Sequence, residues 1–432
     1  MLSSKLNNGL LGIPLIPGDK SISHRSIIIP SISQGITEVK SILKSEDVRN
    51  TINAFKLMGV QIIENKDSTI IFGKGLNSLK EPKEEIYLGN SGTSARLLTG
   101  LLSCQKFDSK ITGDKSLSSR PMGRIIDPLL KMKAKIISKN NCLPLSIYGS
   151  ELTNSNIRID IPSAQIKSGI LLAALNTAGK TNITEKHITR DHTETMLEAF
   201  GADIDIKNIN YEKIITIDGK KELKSKNIDV PSDLSSGSFF IVAALINKGS
   251  RLKLENININ PSRNGIIIAL QKMGAKISFL NKRYINNEQV SDIEVEYSKL
   301  SGCDLDGDFA KLMIDEFPIL AVAASFANSP SIFKGLQELR VKESDRLNLI
   351  ALNLKKCGVQ TKIVKDDLHI YPSKELKIED PNIRTDFDHR IAMSFAVMGS
   401  RIGPLNIKES NSIDTSFPSF IREFNKIGGQ IS

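Results

Sequence analysis

The chain has no tryptophan, and aromatic residues make up only 5% of its 432 positions. So few flat rings argue against a platform for single-stranded nucleic acid, on which successive bases need aromatic faces to stack. Cysteine is scarce as well. Cys104, Cys142, Cys303 and Cys357 are scattered without a C-x-x-C pair, and the five histidines show no metal-ligand spacing. Reduced structural thiols are therefore expected, in place of a disulfide framework or a zinc site. No apolar run is long enough to span a bilayer. The residues after Met1 do not resemble a signal peptide, and the 16 residues before Pro17 leave little room for a transit peptide. These absences set the expectation of a cytoplasmic protein with no membrane partner.

Hydrophobic residues make up 40% and charged residues 25%, a globular composition. The net charge of +10 is compatible with nucleic acid, an anionic membrane or small anionic substrates. The placement of the cations is more informative than their sum. Lys20, Arg25, Arg96, Arg120, Lys167, Arg190, Lys342, Arg346 and Arg390 all sit in or beside junctions between a polar turn and an apolar helix. Most other lysines read as solvated faces. Junction cations spread along the chain suggest one anion site assembled from several segments.

The first such junction, Pro17-Gly-Asp-Lys-Ser-Ile-Ser-His-Arg25, precedes the apolar run Ser26 to Ile29. Free N–H groups and the dipole at a helix entrance favour a phosphate or carboxylate there, and Lys20 and Arg25 add charge. Comparable junctions are Gly89 to Arg96, Pro162 to Ser168, Pro231 to Ser236, Ile314 to Pro318 and Asp386 to Arg390. The runs that follow, such as Phe239 to Ile246 and Ile319 to Phe326, are apolar nearly all round and read as buried helices.

A second unit recurs with them: an amphipathic helix that ends in an apolar-Gly-apolar step before a strand. Phe55-Lys-Leu-Met-Gly-Val60 is one copy, with glycine at 59, 201, 274, 358 and 428 and Lys133 at the sixth position. Glycine suits a left-handed helix cap, so the Lys133 cap is expected to be built differently. The separations of 74, 68, 73, 84 and 70 residues give six repeats over the chain. Each reads strand, buried helix, strand, amphipathic helix and two strands, an α/β pattern. At this length two domains of three repeats are expected.

In Leu339-Arg-Val-Lys-Glu-Ser-Asp-Arg-Leu347, Lys342, Glu343 and Arg346 read as bracketing one helical turn. A carboxylate among cations can be held ionised or can shuttle a proton. An isolated K-E-x-x-R string is more often a salt-bridged surface helix. Asp315-Glu316, His389-Arg390 and Arg120 at comparable places in other repeats weigh against that plainer reading.

Eight segments, in order along the whole chain, resemble the 5-enolpyruvylshikimate-3-phosphate synthase family. They are Gly18 to Arg25, Gly89 to Thr93, Ser119-Arg-Pro121, Ser163-Ala-Gln-Ile-Lys-Ser168, Thr189-Arg-Asp-His-Thr-Glu194, Met313 to Glu316, Arg340 to Arg346 and Asp388-His-Arg-Ile-Ala-Met393. The third-repeat forms are similar to the class II bacterial branch. The resemblance implies transfer of the enolpyruvyl group of phosphoenolpyruvate to the 5-hydroxyl of shikimate 3-phosphate with release of phosphate. It places the chain in the route to chorismate and aromatic amino acids, which glyphosate targets. No metal or other cofactor, no nucleic acid and a monomer are implied. So is an inverse α/β barrel fold of two similar domains, each of three βαβαββ repeats, with helices inside and sheets outside. The chain crosses between domains twice, giving residues 1–18 plus 233–432 and residues 19–232, with the active site in the cleft between them.

The resemblance also implies residue roles. Lys20, Ser21, Arg25, Ser163, Ala164 (through its backbone), Gln165, Arg190, Asp315 and Lys342 hold shikimate 3-phosphate. Lys20, Gly92, Arg120, Gln165, Arg346 and Arg390 hold phosphoenolpyruvate. Asp315 accepts the 5-hydroxyl proton, and Glu343 with Lys20 protonates the methylene carbon. The set departs from the enterobacterial branch in two places. Asp414-Thr-Ser-Phe-Pro418 lacks that branch's nearby Lys, leaving open whether Lys408 substitutes, and Ala164 replaces a Ser. His24, His187, His192 and His369 are expected to be structural or solvent-exposed, and His389 is left open. The sister transferases acting on UDP-N-acetylglucosamine carry a Cys in the loop matching Asp114 to Arg120, which this chain lacks. RNA 3′-phosphate cyclases share only the βαβαββ unit.

Overall fold

A computed structural model describes residues 1–5, 9–373 and 375–432. The chain divides into two compact units. One comprises Met1–Asp19, Pro231–Tyr284 and Gln289–Ser432, and the other Lys20–Val230 with Ile285–Glu288. The four residues Ile285–Glu288 join Lys276–Ile285 to Glu288–Glu296. They form a hairpin turn in which Asn286 and Asn287 take φ +49° and +66°, the left-handed region that asparagine tolerates.

The second unit is built on three helices, Lys20–Ser31, Gly92–Ser103 and Ala164–Ala174. Their small-residue faces let backbones approach closely. A Cβ on Gly100 would lie 1.9 Å from the Gly169 carbonyl oxygen, so this crossing is closed to any larger residue. Three four-stranded sheets cover the helices. In each, a parallel pair is extended by an antiparallel hairpin, as where Ile86–Tyr87 runs parallel to Ser109–Thr112 and Cys142–Tyr148 pairs antiparallel with both Ser109–Thr112 and Lys135–Lys139. Alternating burial along Glu212–Asp218 shows one face turned inward and one toward solvent. The chain closes on itself: Ile228–Asp229, at the end of the unit, pairs parallel with Gln34–Lys40 at its start.

The first unit repeats the plan around Leu234–Ile246, Phe317–Ser325 and His389–Ile402. All thirteen residues of Leu234–Ile246 are buried, including the run Phe239 to Ile246 read from the sequence as apolar nearly all round. Phe240 packs against Phe417, Phe420 and Phe424 at centroid separations of 5.7 to 5.9 Å. Two expectations need correction. The sixth repeat does not end in two strands of its own; Leu2–Ser4 pairs antiparallel with Leu405–Ile407 and completes that sheet. Nor is the Lys133 cap different: Lys133 takes φ +67°, the left-handed turn that Gly59, Gly201, Gly274, Gly358 and Gly428 take at φ +80° to +101°. Its N–H donates to the Leu130 carbonyl at 2.9 Å, so the hydrogen-bonded turn holds a residue with a Cβ in a conformation that side chains disfavour.

Candidate active site

In the second unit, the starts of the three central helices carry most of the residues singled out from the sequence. Lys20 opens the first helix, and its ammonium pairs with Asp47, whose side chain is 5% exposed. Arg25, one turn further on, is buried. Its Nη1 donates to the Ser21 carbonyl at 2.8 Å, its Nη2 to Ser168 Oγ at 2.8 Å and its Nε to Thr193 Oγ1 at 2.6 Å. Ser163 caps the third helix by accepting from the Ile166 N–H at 3.4 Å, and Ala164 is that helix's first residue.

A second group forms around Arg96. Its Nη1 donates to the Gly92 carbonyl at 3.1 Å and to Gln165 Oε1 at 2.9 Å, while Gln165 Nε2 donates to Thr93 Oγ1 at 3.1 Å. Arg120, also buried, donates to the Asn90 side chain and to Ser116 Oγ at 3.1 Å. A Cβ built on Gly92 would lie 3.2 Å from Arg120 Nη1, so Gly92, Gln165 and Arg120 share one small region with Arg96. Arg190 sits partly buried in the turn before the helix His192–Ala199.

In the first unit the site residues surround Arg346, whose side chain is fully buried. Its Nε is 2.7 Å from Asp388 Oδ2, its Nη2 2.5 Å from Glu343 Oε2 and its Nη1 3.3 Å from Asp315 Oδ1. Lys342 Nζ lies 3.3 Å from the same Asp315 oxygen. Burial opposes the charge on Arg346, but Asp388, Glu343 and Asp315 outweigh it and hold the guanidinium protonated well above its ordinary range. Lys342 and Glu343 do not lie in a helical turn with Arg346, as the spacing suggested. They occupy an irregular segment between the 3₁₀ turn Gln337–Val341 and the helix Arg346–Lys356. The Lys342 backbone, at φ −83° and ψ −149°, is not helical.

Arg390 opens the last central helix, Asp388 caps it, and Arg390 Nη1 donates to Ser235 Oγ at 2.5 Å and to the Asp315 carbonyl at 3.2 Å. Ser235 in turn donates to Glu316, a carboxylate 1% exposed. Asp388, Ser235 and Glu316 were not singled out as binding groups, and neither was Arg263. Arg263 is buried between Asp19 and Asp233, 2.7 Å from Asp233 Oδ1. Burial raises the Asp233 carboxyl above its ordinary value, against the pull of Arg263. The signal available for Asp388, Asp233 and Ser235 was their place at a helix entrance, which the repeats shared.

Lys408 and Asp414 are both exposed. His24 is buried, with Nδ1 2.8 Å from Thr51 Oγ1, and His192 Nδ1 is 2.6 Å from Glu288 Oε1. His389 is buried with Nδ1 3.5 Å from Thr415 Oγ1. No group of three or more His, Cys, Asp or Glu among the described residues is disposed to hold a metal ion. Among them, no helix is long and apolar enough to cross a membrane. Cationic forks beside carboxylates, at helix starts, can bind multiply charged anions and move protons beside them.

The family model for EPSP synthase (3-phosphoshikimate 1-carboxyvinyltransferase) matches residues 7–424. A 3-phosphoshikimate 1-carboxyvinyltransferase from Paramagnetospirillum magneticum is 43% identical over 100% of this chain and 98% of its own length. Another from Ruthia magnifica is 44% identical over 99% of this chain and 98% of its own. The solved structure of EPSP synthase from Acinetobacter baumannii aligns at TM-score 0.87 and 42% identity, covering 100% of this chain and 99% of that one. The enolpyruvyl transferase NikO from Streptomyces tendae aligns at TM-score 0.81 over 100% of this chain and 98% of its own, and at 15% identity the likeness extends to the fold alone. On a match that spans nearly its whole length, the chain belongs to the EPSP synthase family.

Proposed function

We propose that Asp315 and Glu343 are the proton carriers with which this chain performs its family's reaction. The chain is a transferase of the shikimate pathway, moving the enolpyruvyl group of phosphoenolpyruvate to the 5-hydroxyl of shikimate 3-phosphate. The observation that carries the assignment is that both carboxylates lean on one buried guanidinium, Arg346, with Lys342 against the same Asp315 oxygen.

In this reading Asp315 takes the proton of the 5-hydroxyl as its oxygen bonds to C2 of phosphoenolpyruvate. Glu343, with Lys20, gives a proton to C3, and the double bond becomes a methyl group. The resulting tetrahedral intermediate carries both substrates. Loss of a proton from that methyl and of phosphate from C2 restores the double bond in the product. Ser21, Arg25, Ser163, Gln165, Arg190 and Lys342, with Lys20 and the Ala164 backbone, hold shikimate 3-phosphate. Arg120, Arg346 and Arg390, with Lys20, Gly92 and Gln165, hold phosphoenolpyruvate, whose carboxylate and phosphate call for several cationic forks.

The finer reading is a cytoplasmic monomer of the class II bacterial type, a glyphosate target with neither nucleic acid nor membrane as partner. Its support is the Ser163-Ala-Gln-Ile-Lys-Ser168 form, for the branch, and the low aromatic content of 5%, for the exclusion of nucleic acid. A coupled phosphate-release assay tests the assignment. Release from phosphoenolpyruvate should require shikimate 3-phosphate, with neither shikimate nor a UDP-sugar replacing it. Asp315→Ala and Glu343→Gln should each lose about 10² to 10⁴-fold in kcat. Near wild-type turnover in either saturated variant refutes its assigned role.

A further inference from the structure

Lys167 belongs to the helix Ala164–Ala174, and its side chain is fully buried. Its Nζ lies 2.8 Å from Glu185 Oε2 and 2.7 Å from Glu194 Oε1, and it donates to the Thr189 carbonyl at 3.4 Å. Glu185 ends the strand Lys180–Glu185, and Glu194 stands in the first turn of the helix His192–Ala199. One ammonium therefore grips both ends and the middle of the turn that carries Arg190. Thr189 Oγ1 donates to Glu185 Oε1 at 2.5 Å, and Lys213 Nζ stands 3.2 Å from Glu194 Oε1. Two cations balance two carboxylates.

The neighbouring Ser168 fastens the same turn from its other side. Its Oγ is 2.6 Å from Thr193 Oγ1, and Arg25 donates to both hydroxyls. A single helical step thus ties Arg25 and the Arg190 turn together.

Buried ion pairs contribute little net stability compared with well-packed apolar side chains, because desolvation offsets their attraction; the geometry they impose is the better-attested use. An apolar residue at 167 would fill the same volume. It would also leave Glu185 and Glu194, each 1% exposed, without the cation between them. Glu194 Oε2 already has no hydrogen-bond partner, so the carboxylates would separate and carry the turn with them. Burial holds the Glu185 carboxyl above its ordinary value even beside Lys167, consistent with a costly cluster kept for its shape.

We propose that Lys167 is a positioning residue for shikimate 3-phosphate, fixing the turn of Arg190 against the helix that carries Ser163 and Gln165. The proposal rests on the assignment of Arg190 to that substrate. Its test is the charge-balanced double variant Lys167→Met/Glu185→Gln, which leaves Glu194 paired with Lys213 and keeps an acceptor for Thr189. Steady-state kinetics with each substrate varied, and calorimetric titration with shikimate 3-phosphate, are measured beside Arg190→Ala. The expected result is a melting temperature close to wild type and a KM for shikimate 3-phosphate raised about 10 to 100-fold, the scale of a displacement near 1 Å. The KM for phosphoenolpyruvate and kcat should move far less. An unchanged KM for shikimate 3-phosphate, a loss confined to kcat, or failure of the double variant to fold each overturns the positioning role. If Arg190→Ala leaves affinity for shikimate 3-phosphate intact, the assignment of Arg190 fails instead, whatever the double variant does.

Discussion

Replacing Asp388 by Asn isolates what holds Arg346 in place. Asp388 is fully buried, and its two oxygens do different work. Oδ1 accepts from the N–H groups of Arg390 at 2.9 Å and Ile391 at 3.5 Å, capping the helix, and from Arg346 Nη2 at the longer distance of 3.4 Å. Oδ2 accepts from Arg346 Nε at 2.7 Å and from Ser344 Oγ at 2.9 Å. Asparagine keeps the capping oxygen and turns an NH₂ group toward two donors. Removing one partner of a buried ion pair costs about 3 to 5 kcal/mol. Arg346 keeps Glu343 and Asp315, whose side chains are 22% and 16% exposed, so about 2 to 3 kcal/mol is the better figure after solvent screening.

For a unit of this size each kcal/mol moves the melting temperature by about 2 to 4 °C, which puts the expected fall at roughly 4 to 12 °C. Scanning calorimetry of wild type and Asp388→Asn reads it directly. Asp388→Ala should lose about 1 kcal/mol more as the cap disappears. The KM for phosphoenolpyruvate should rise in both variants, since Arg346 then depends mainly on the two carboxylates proposed to move protons and, in Asp388→Asn, on the one weak contact to the retained oxygen. A melting temperature within about 1 °C of wild type, or a KM for phosphoenolpyruvate that does not change, would refute the reasoning.

Gly92→Ala places a methyl group 2.8 Å from Arg96 Nη1 and 3.2 Å from Arg120 Nη1, so both side-chain tips must give way. The expected outcome is a folded enzyme whose inhibition constant for glyphosate rises more than its KM for phosphoenolpyruvate, glyphosate being the longer ligand; equal proportional changes would sink this steric account. Burial pushes the thiols of Cys104 and Cys357 up to about 12 and that of Cys303 up to about 11. A raised thiol pKa keeps the unreactive protonated form dominant at pH 8. A disulfide reagent should then label the folded protein at Cys142 and reach the other three only on unfolding, with peptide mapping to check the sites.

Local pattern carried the sequence reading a long way. Phe239 to Ile246 is apolar nearly all round because that helix is buried on every side, and a property of consecutive side chains is legible without knowing their neighbours. The glycine steps at 59, 201, 274, 358 and 428 announced the repeats for a similar reason, since a left-handed cap is a one-residue demand. Lys133 shows the limit: the turn around it imposes the same backbone on a residue that does not prefer it. Lys342 and Glu343 show another, because i,i+3 spacing suits a helix but does not require one.

The sequence by itself determined six α/β repeats, their buried helices and the positions at helix starts where anions and protons can be handled. Only the tertiary structure decided which charges meet. Leu2–Ser4 completes a sheet with Leu405–Ile407, Arg263 reaches Asp19 from 244 positions away, and Asp388 rather than the nearer Glu343 takes the Nε of Arg346. The physical reason is the same in each case. Strand register and ion pairing depend on groups brought close by the whole path of the chain, and a carboxylate's local sequence does not say which cation that path will bring to it.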